Sequence, residues 1–498
     1  MEAVDADPEH AAVRPLIGPP KRLASGLAVA LSAYSFYWVL FLVQPQVYRV
    51  SFLLVALILT FLVFPARRRP RASRVPWFDW VLIVSAIIAL GWPLVDFSRF
   101  VYRAVEPLPV DLILGSLTIA LVLEATRRAV GWILPATAIA FLVYAWLGPV
   151  FDLTGLSLIA HRGYGVDRLV GSLYMTLEGL FGVPLDVAAT YIILFTIYGA
   201  VLEQSGAGRF FIDWAMSASG RSSAAPGRSV TIAGFLLGTV SGSGVATTVM
   251  LGSVAWPLLR RAGYAPETGG AMLSAAGIGA LLSPPTLGAA AFLIAEFLQI
   301  SYLQVLVMAA VPTVLYYLSI FVMIEADTRR RSAATDRGGW SPESGSRAGV
   351  TTAELTRRYW YHFISLVAIA AFMVAGMSAF RAVFWATALA AALSYTRRET
   401  ALTPLRLFDA LRAGGQDVLG VAATTATAGI IVGVVTLTGL GLKVAGLIVA
   451  LAGGSLALTV VYAAIAVWML GLAVPVTASY IIAAVMVAPA LVSAGVPD

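Results

Sequence analysis

The chain has 498 residues, of which 59% are hydrophobic and only 12% are charged, and its formal net charge is +7. A chain this apolar cannot hide its side chains in a water-soluble core, which excludes a soluble enzyme or binding module. The absence of cysteine excludes disulfides and thiolate sites, and three histidines far apart in sequence (10, 161 and 362) argue against a histidine-based metal site. The sequence therefore predicts a polytopic membrane protein with the lipid bilayer as its surroundings.

Several apolar stretches approach the roughly 20 residues that a helix needs to cross the hydrocarbon core. They include 25–43, 48–64, 79–96, 110–126, 131–148, 186–203, 303–324 and 418–440. Because backbone amides in lipid must be satisfied within the segment, these stretches predict an all-α bundle. The mixed charge of the N-terminal tail, 1–22, differs from the basic start of a cleaved signal peptide, so the first helix is expected to remain as an anchor.

Lysine and arginine occur in short clusters between the apolar stretches, as at Lys21–Arg22, 67–71 and Arg127–Arg128. Such clusters mark the cytoplasmic ends of membrane helices, which places the N-terminus in the cytoplasm. No basic stripe with interleaved aromatic residues is present, so no nucleic-acid partner is expected. Glu124 lies one turn from Arg127–Arg128 and is expected to pair with them.

The two halves of the chain are related by an internal repeat. Residues 187–208 resemble 421–441, and residues 245–263 resemble 477–495, at a nearly constant offset. Arginines occur in the polar segments between helices of the first copy but hardly in those of the second. The positive-inside bias therefore predicts that the two copies have opposite orientations in the membrane. Inverted repeats of this kind are a recurrent plan of secondary transporters, with the binding site near the midplane of the membrane.

The stretch "GTVSGSGVAT" (238–247) lies between two arms too short to cross the membrane. About a dozen residues separate Arg228 from the glycine-serine cluster, and about fifteen separate the cluster from Arg260–Arg261, at a rise of roughly 1.5 Å each. Because the arginines on both flanks prefer the cytoplasm, the chain is expected to enter, turn and leave by the same side. This predicts a re-entrant hairpin, which is tolerated only inside protein or against a watery cavity.

The tip of this hairpin has the groups that a small ligand needs. Gly242 and Gly244 allow unusual dihedrals and close approach, while Ser241, Ser243 and Thr247 add hydroxyl groups. The second arm begins here with amides and a positive dipole end that suit a carboxylate, and carbonyls at the end of the first arm suit a small cation. The alternative is helix packing through small residues.

A second interruption follows in the apolar stretch 277–298, at Pro284–Pro285. Two prolines remove backbone donors, so carbonyls near 279–282 lose their helical partners. A discontinuous helix beside a hairpin tip is the pattern expected at a transporter site, and a plain proline kink is the alternative. In the second copy, "GLAVPVTASY" (471–480) takes the place of the first tip, with Thr477 and Ser479 as its expected polar contacts.

Six segments carry a resemblance to a known family: "LVLEATRR" (121–128), "SGAGRFFIDWA" (205–215), "GTVSGSGVATTVMLGS" (238–253), "PLLRRAGY" (257–264), "PPTLGAAAFLIAEFL" (284–298) and "GLAVPVTASYI" (471–481). They resemble the fused permease subunits of tripartite ATP-independent periplasmic (TRAP) transporters, of the type that works with TAXI binding proteins. The resemblance implies an elevator-type carrier in the bacterial inner membrane. A periplasmic binding protein would deliver an organic acid, and a sodium gradient, or protons in some members, would drive its uptake.

The resemblance also implies a division of the chain and a set of site residues. The regions are the cytoplasmic tail 1–22, a small-subunit-like scaffold 23–165, a first transport repeat 166–324, a cytoplasmic linker 325–358 and an incomplete second transport repeat 359–498. The substrate contacts would be Ser243, Thr247, Thr286, Thr477 and Ser479. The cation, expected to be Na⁺, would be held by Ser241, Gly242, Gly244, Gly279, Ser283 and Pro475, and Pro284 and Pro285 would break the helix. No cofactor and no transition metal is expected.

Two departures from the family pattern leave alternatives open. Residues 280–283 read Ala-Leu-Leu-Ser, where the family commonly has a Gly-Gln-Ile-Met type sequence. The first copy continues well beyond Tyr264 while the second stops at Asp498, so the chain is expected to be C-terminally truncated. An inactive or fragmentary membrane subunit with a structural role is one alternative, and a channel is another. A membrane enzyme would need a concentrated acid, base or metal set, and the sequence has none.

Overall fold

The computed structural model describes residues 13–41, 43–67, 74–95, 97–153, 157–220, 222–334, 351–472 and 474–496, without the side chains of 331–334. Within these ranges every regular element is a helix, which confirms the all-α prediction. The first twelve residues of the predicted tail and residues 335–350 of the predicted linker lie outside the described residues.

Eight helices in the described ranges are long and apolar enough to cross a membrane, which confirms a polytopic membrane protein. They are Pro19–Leu40, Pro45–Val63, Trp77–Val95, Pro109–Val130, Val183–Gln204, Tyr302–Arg330, Pro404–Thr438 and Val476–Ser493. The first seven contain or overlap predicted stretches. The predicted stretch 131–148 forms only the 14-residue helix Ile133–Trp146, because Gly131 precedes it and Gly148–Pro149 follow it.

The helices form two compact units, one comprising residues 1–193, 296–298 and 415–498 and the other comprising 194–295 and 299–414. The first unit begins with α1 (Pro19–Leu40), α2 (Pro45–Val63), α3 (Trp77–Val95), α4 (Phe97–Tyr102), α5 (Pro109–Val130), α6 (Ile133–Trp146), α7 (Val150–Leu153), α8 (Val166–Met175) and α9 (Val183–Val187). The second contains α10 (Ile193–Gln204), α11 (Ala207–Ala218), α12 (Ala225–Ser241), α13 (Gly244–Arg261), α14 (Pro266–Ile278), α15 (Ala289–Phe297), α16 (Tyr302–Ala334), α17 (Thr352–Tyr359), α18 (Tyr361–Val374), α19 (Ala379–Ser394) and α20 (Pro404–Asp417). The first unit ends with α21 (Leu419–Thr438), α22 (Leu440–Leu451), α23 (Leu456–Gly471), α24 (Val476–Met486) and α25 (Ala488–Ser493).

Helix α21 forms the centre of the first unit, and small residues let its neighbours approach closely. The Thr126 hydroxyl of α5 lies 2.7 Å from that of Thr427 and 2.8 Å from the Ala423 carbonyl oxygen. A Cβ atom added at Gly429 would lie 2.5 Å from the carbonyl oxygen of Gly179. In a membrane the lipid is as apolar as the helix surfaces, so the hydrophobic effect does not drive helices together. They associate through close backbone packing and hydroxyl contacts of this kind.

A cluster of buried charges ties the ends of three helices in the first unit. Asp79, at the start of α3, accepts hydrogen bonds from Arg14 at 2.5 Å and from Arg128 at 2.7 Å, and its side chain is fully buried. Glu124 accepts from Arg127 and Arg128 at 2.7 Å each, as expected from their spacing. Arg14 also donates to the carbonyl oxygen of Leu62 at the end of α2. The cluster therefore holds α2, α3 and α5 together at one end.

A loop between α7 and α8 is fixed by His161. The Nδ1 atom accepts from the Gly163 amide at 3.1 Å, so the proton lies on Nε2, which is 3.1 Å from the Tyr144 carbonyl oxygen. The ring lies between Tyr144 and Tyr164, at centroid distances of 4.7 and 5.5 Å. Burial lowers the pKa of His161 and the charge of Lys443 lowers it further, against an opposing effect of the Tyr144 carbonyl.

We expect this histidine to make the protein less stable in acid. Because its pKa is lower in the folded chain than in the unfolded chain, its contribution is present above the unfolded pKa of about 6.5 and is lost as the pH falls. The melting temperature in detergent should therefore fall between neutral pH and about pH 5, and fall less in His161→Gln. An equal acid sensitivity of the two proteins would assign the effect to other groups.

The two repeat copies have the same order of helices up to the last arm, which is the single helix α13 in the first copy and α24 with α25 in the second. The bounds of α11 and α22 lie 233 positions apart at both ends. The glycine before each of these helices, Gly206 and Gly439, has a positive φ, of 88° and 65°. A second pair, Gly263 and Gly495, has φ of 77° and 93° at the end of the following hairpin. Positive φ favours glycine, so these glycines mark helix ends. The two copies therefore share the positions of helix ends as well as a pattern of apolar residues.

Candidate functional site

The glycine-serine cluster forms a two-residue turn between α12 and α13 in the second unit. Gly242 ends α12 in the left-handed region, at φ 58°, with its amide bonded to the Gly238 carbonyl oxygen at 3.1 Å. Ser243 is extended and its hydroxyl accepts from the Ala246 amide, as an N-cap of α13. The predicted helical hairpin is present, with its turn within the predicted tip.

Hydroxyl groups at the turn are bonded to one another. The Ser241 hydroxyl lies 2.6 Å from that of Thr247, accepts from the Ser243 amide at 3.2 Å and contacts the Ser243 carbonyl oxygen at 3.2 Å. Thr247 is fully buried, whereas Ser241 and Ser243 are half-buried. The amides of Gly244 and Val245 lie in the first turn of α13 and have no partner within that helix. The open face of the turn therefore consists of serine hydroxyls and helix amides.

The segment from Gly279 to Gly288 interrupts the following helical stretch. A single 3₁₀ turn, Gly279–Leu282, ends at the extended residue Ser283, the Pro284–Pro285 peptide bond is cis, and α15 begins at Ala289. The chain is broken over several residues and is not simply kinked, as expected for a discontinuous helix.

Protein groups occupy the carbonyls that the break sets free. The Leu282 carbonyl oxygen accepts from the Thr313 hydroxyl at 2.7 Å, and the Pro285 carbonyl oxygen accepts from Tyr302 at 3.0 Å. Ser283 donates to the Gly279 carbonyl oxygen at 2.9 Å and lies 2.8 Å from the Tyr317 hydroxyl. The sequence interpretation missed Tyr302, Thr313 and Tyr317 on α16. The four-residue spacing of the last two, on one face of a helix, is the signal that could have indicated a shared role.

The hairpin and the broken segment pack backbone against backbone. Thr286 donates to the Gly238 carbonyl oxygen at 3.1 Å. A Cβ atom added at Gly238 would lie 2.7 Å from the Ala280 Cα atom, and one added at Gly242 would lie 2.7 Å from the Leu287 carbonyl oxygen. Only glycine fits such contacts, so the structure brings the predicted tip and the predicted break together.

The second candidate tip lies in the first unit, between α23 and α24. Pro475 is the N-cap residue of α24, with φ −53° and ψ 147°. The Ser479 hydroxyl is buried and donates to the Val474 carbonyl oxygen at 2.9 Å, and Thr477 is half-buried. This segment therefore also has an extended proline turn followed by a helix N-terminus.

The predicted site residues thus fall into two groups. Ser241, Gly242, Ser243, Gly244, Thr247, Gly279, Ser283, Pro284, Pro285 and Thr286 lie in the second unit, and Pro475, Thr477 and Ser479 lie in the first. Among the described residues no group of three histidine, cysteine or acidic side chains could hold a metal ion.

A helical membrane bundle with a short helical hairpin against a discontinuous helix belongs architecturally with the secondary transporters. Residues 117–498 match the family model of the tripartite ATP-independent periplasmic transporter, DctM component. The match covers more than three quarters of the chain, so the chain belongs to this family of transporter permeases, which work with a periplasmic binding protein. No curated protein matches the chain. Helices α1 to α4 precede the matched residues.

Proposed function

We propose that this protein is a cation-coupled permease for the uptake of an organic carboxylate across the bacterial inner membrane. A TAXI-type periplasmic binding protein delivers the substrate, and Na⁺, or H⁺ in its place, supplies the driving force. Residues 23–165, of which the family match covers those from 117 onward, act as a fused small subunit and static scaffold. The N-terminus is cytoplasmic, and the protein carries out no catalysis.

The observation that supports this proposal best is the hairpin turn packed on the proline-broken segment. The half-buried serine hydroxyls and the first amides of α13 form a neutral, donor-rich surface, which suits a carboxylate at a positive helix end. Ser241, Gly242, Gly244, Gly279 and Ser283 provide oxygen atoms for a small cation in the same region. At the first tip we assign Ser243, Thr247 and Thr286 to the substrate. At the second tip we assign Thr477 and Ser479 to the substrate and Pro475 to the cation.

Uptake by proteoliposomes that contain the full permease and its binding protein tests the proposal. Labelled organic acids should accumulate inside when a sodium or a proton gradient is imposed. If none accumulates under either gradient, the protein is not a carrier of this kind.

Within the same assay, Ser243→Trp should abolish uptake, because the indole would fill the turn where the ligand is proposed to bind. Ser253→Trp provides the control, since Ser253 is an exposed serine on the same helix. Membrane insertion of both variants should match that of the unmodified protein. Undiminished uptake by Ser243→Trp would remove this turn from the site.

A further inference from the structure

Five arginines lie at one end of an apolar helix pair in the second unit. Helices α18 and α19 pack against each other and are joined by the short turn 375–378, so the start of α18 and the end of α19 lie side by side. The arginines flank this end: Arg357, Arg358, Arg397, Arg398 and Arg406. By the positive-inside bias this is the cytoplasmic end of the pair.

Three of these arginines are held in place around Tyr359 and Glu399. The guanidinium carbons of Arg358 and Arg397 lie 5.4 and 5.8 Å from the centroid of the Tyr359 ring. Arg397 donates through Nε to the Arg358 carbonyl oxygen at 3.0 Å, and Arg406 donates to the Glu399 carbonyl oxygen at 2.9 Å. These bonds use only part of the five donors of each guanidinium. Donors from several arginines therefore remain for an outside acceptor.

The cluster is basic and open to its surroundings. Its acidic members are Glu354 and Glu399, so five arginines against two glutamates leave an excess of three positive charges. Arg357, Arg358, Arg398 and Arg406 are exposed, and Arg358 and Glu399 form only an exposed ion pair at 3.1 Å. An exposed pair of this kind contributes little to stability, and the excess of positive charge remains. The surface favours an anionic partner.

An exposed apolar stripe continues from the cluster along α18. Ile364, Val367 and Val374 lie on one face of the helix and are 40%, 65% and 73% exposed. Trp360 and Tyr395, at the arginine end, are 43% and 63% exposed. Aromatic side chains at this level are typical of the membrane interface. The surface thus joins anion-binding groups to a face that suits hydrocarbon.

We propose that this surface, formed by the five arginines and the apolar stripe of α18, binds an anionic phospholipid of the cytoplasmic leaflet. The lipid phosphate accepts hydrogen bonds from Arg358, Arg397 and Arg406, and an acyl chain lies along Ile364 and Val367. A free phosphate would use the arginines but not the adjoining apolar stripe, which is why a lipid fits better. The inference concerns a site apart from the hairpin turn and goes beyond the proposed transport function.

Lipid titration followed by native mass spectrometry tests the inference on the whole protein in detergent. Phosphatidylglycerol should bind the unmodified protein more tightly than phosphatidylcholine does. Arg358→Gln with Arg397→Gln should weaken phosphatidylglycerol binding by at least about 10-fold, since two of the basic residues that bind the phosphate are lost. If this variant does not fold, Arg398→Gln with Arg406→Gln replaces it.

The matched control is Arg329→Gln with Arg330→Gln, two exposed arginines at the end of α16 in the same unit. This control removes the same charge and should leave lipid binding unchanged. An equal loss in both variants would show that net charge alone attracts the lipid and would overturn the proposal, as would no loss in the cluster variant. Displacement of the lipid by millimolar inorganic phosphate would also overturn it, because the acyl chain would then add nothing.

Discussion

Replacing Asp79 with alanine is expected to destabilise the first unit by about 3–5 kcal/mol. Asp79 is the acceptor for both Arg14 and Arg128, and all three side chains are nearly inaccessible to solvent. Removing the carboxylate leaves the buried Arg14 guanidinium without its acidic partner, while Arg128 keeps Glu124. An uncompensated buried charge is far more costly than a lost surface pair. The measurement is the free energy of unfolding in mild detergent, followed by denaturant or heat.

The matched control for this prediction is Asp409→Asn. Asp409 pairs with Arg412 three residues later on α20, and both side chains are partly exposed, at 45% and 33%. Such a pair contributes about 0.5 kcal/mol or less, so the control should unfold almost as the unmodified protein does. If Asp79→Ala were as mild as the control, the buried cluster would not hold α2, α3 and α5 together.

Replacing Gly238 with alanine, which adds a single methyl group, is expected to reduce transport strongly. The new Cβ atom would lie 2.7 Å from the Ala280 Cα atom and 2.9 Å from the Ser283 hydroxyl oxygen. Because the nearest atom belongs to the backbone, the hairpin must move away from the broken segment, at a cost of about 1–3 kcal/mol. Uptake in proteoliposomes should fall by at least about 10-fold, since displacement of site groups by roughly 1 Å has effects of this size or larger.

Gly270→Ala is the control for the same chemical change. Gly270 lies on α14, is exposed, and an added Cβ atom would have no neighbour within 4 Å. Alanine in a helix is favoured over glycine by up to about 1 kcal/mol, so this variant should transport normally and unfold no more readily than the parent. Normal uptake by Gly238→Ala would mean that the close packing of hairpin and broken segment is not needed for transport.

Features that depend on neighbouring residues could be predicted from the sequence. Glycine and serine at 241–244 indicated a turn, and the structure has one at Gly242–Ser243. Pro284–Pro285 indicated a broken helix, and the chain is non-helical from Ser283 until α15. The spacing of Glu124 from Arg127 and Arg128 indicated an ion pair, which is present. Each of these depends on dihedral preferences or helical periodicity, which act over a few residues.

The roles of individual site residues were harder to predict from the sequence. Thr247, a proposed substrate contact, is completely buried with its hydroxyl against that of Ser241, a contact that the sequence does not specify. The sequence predicts that carbonyls near 279–282 lose their helical partners, but it does not show that the Leu282 carbonyl oxygen accepts from Thr313, 31 residues away. Both residues can be read from the sequence, but the sequence does not show that they lie close together in the fold. Their hydrogen bond arises only when α16 packs against the broken segment.

The sequence by itself determined that this protein is an all-α membrane protein with a helical hairpin followed by a proline-broken helix, because composition, periodicity and turn residues are local properties. The tertiary structure alone decided which groups meet. It joined Asp79 to Arg14 and Arg128, at sequence separations of 65 and 49 residues, and it brought Gly238 against Ala280. Helix packing selects such partners, and packing depends on the shapes of whole helix faces, which no short stretch of sequence specifies.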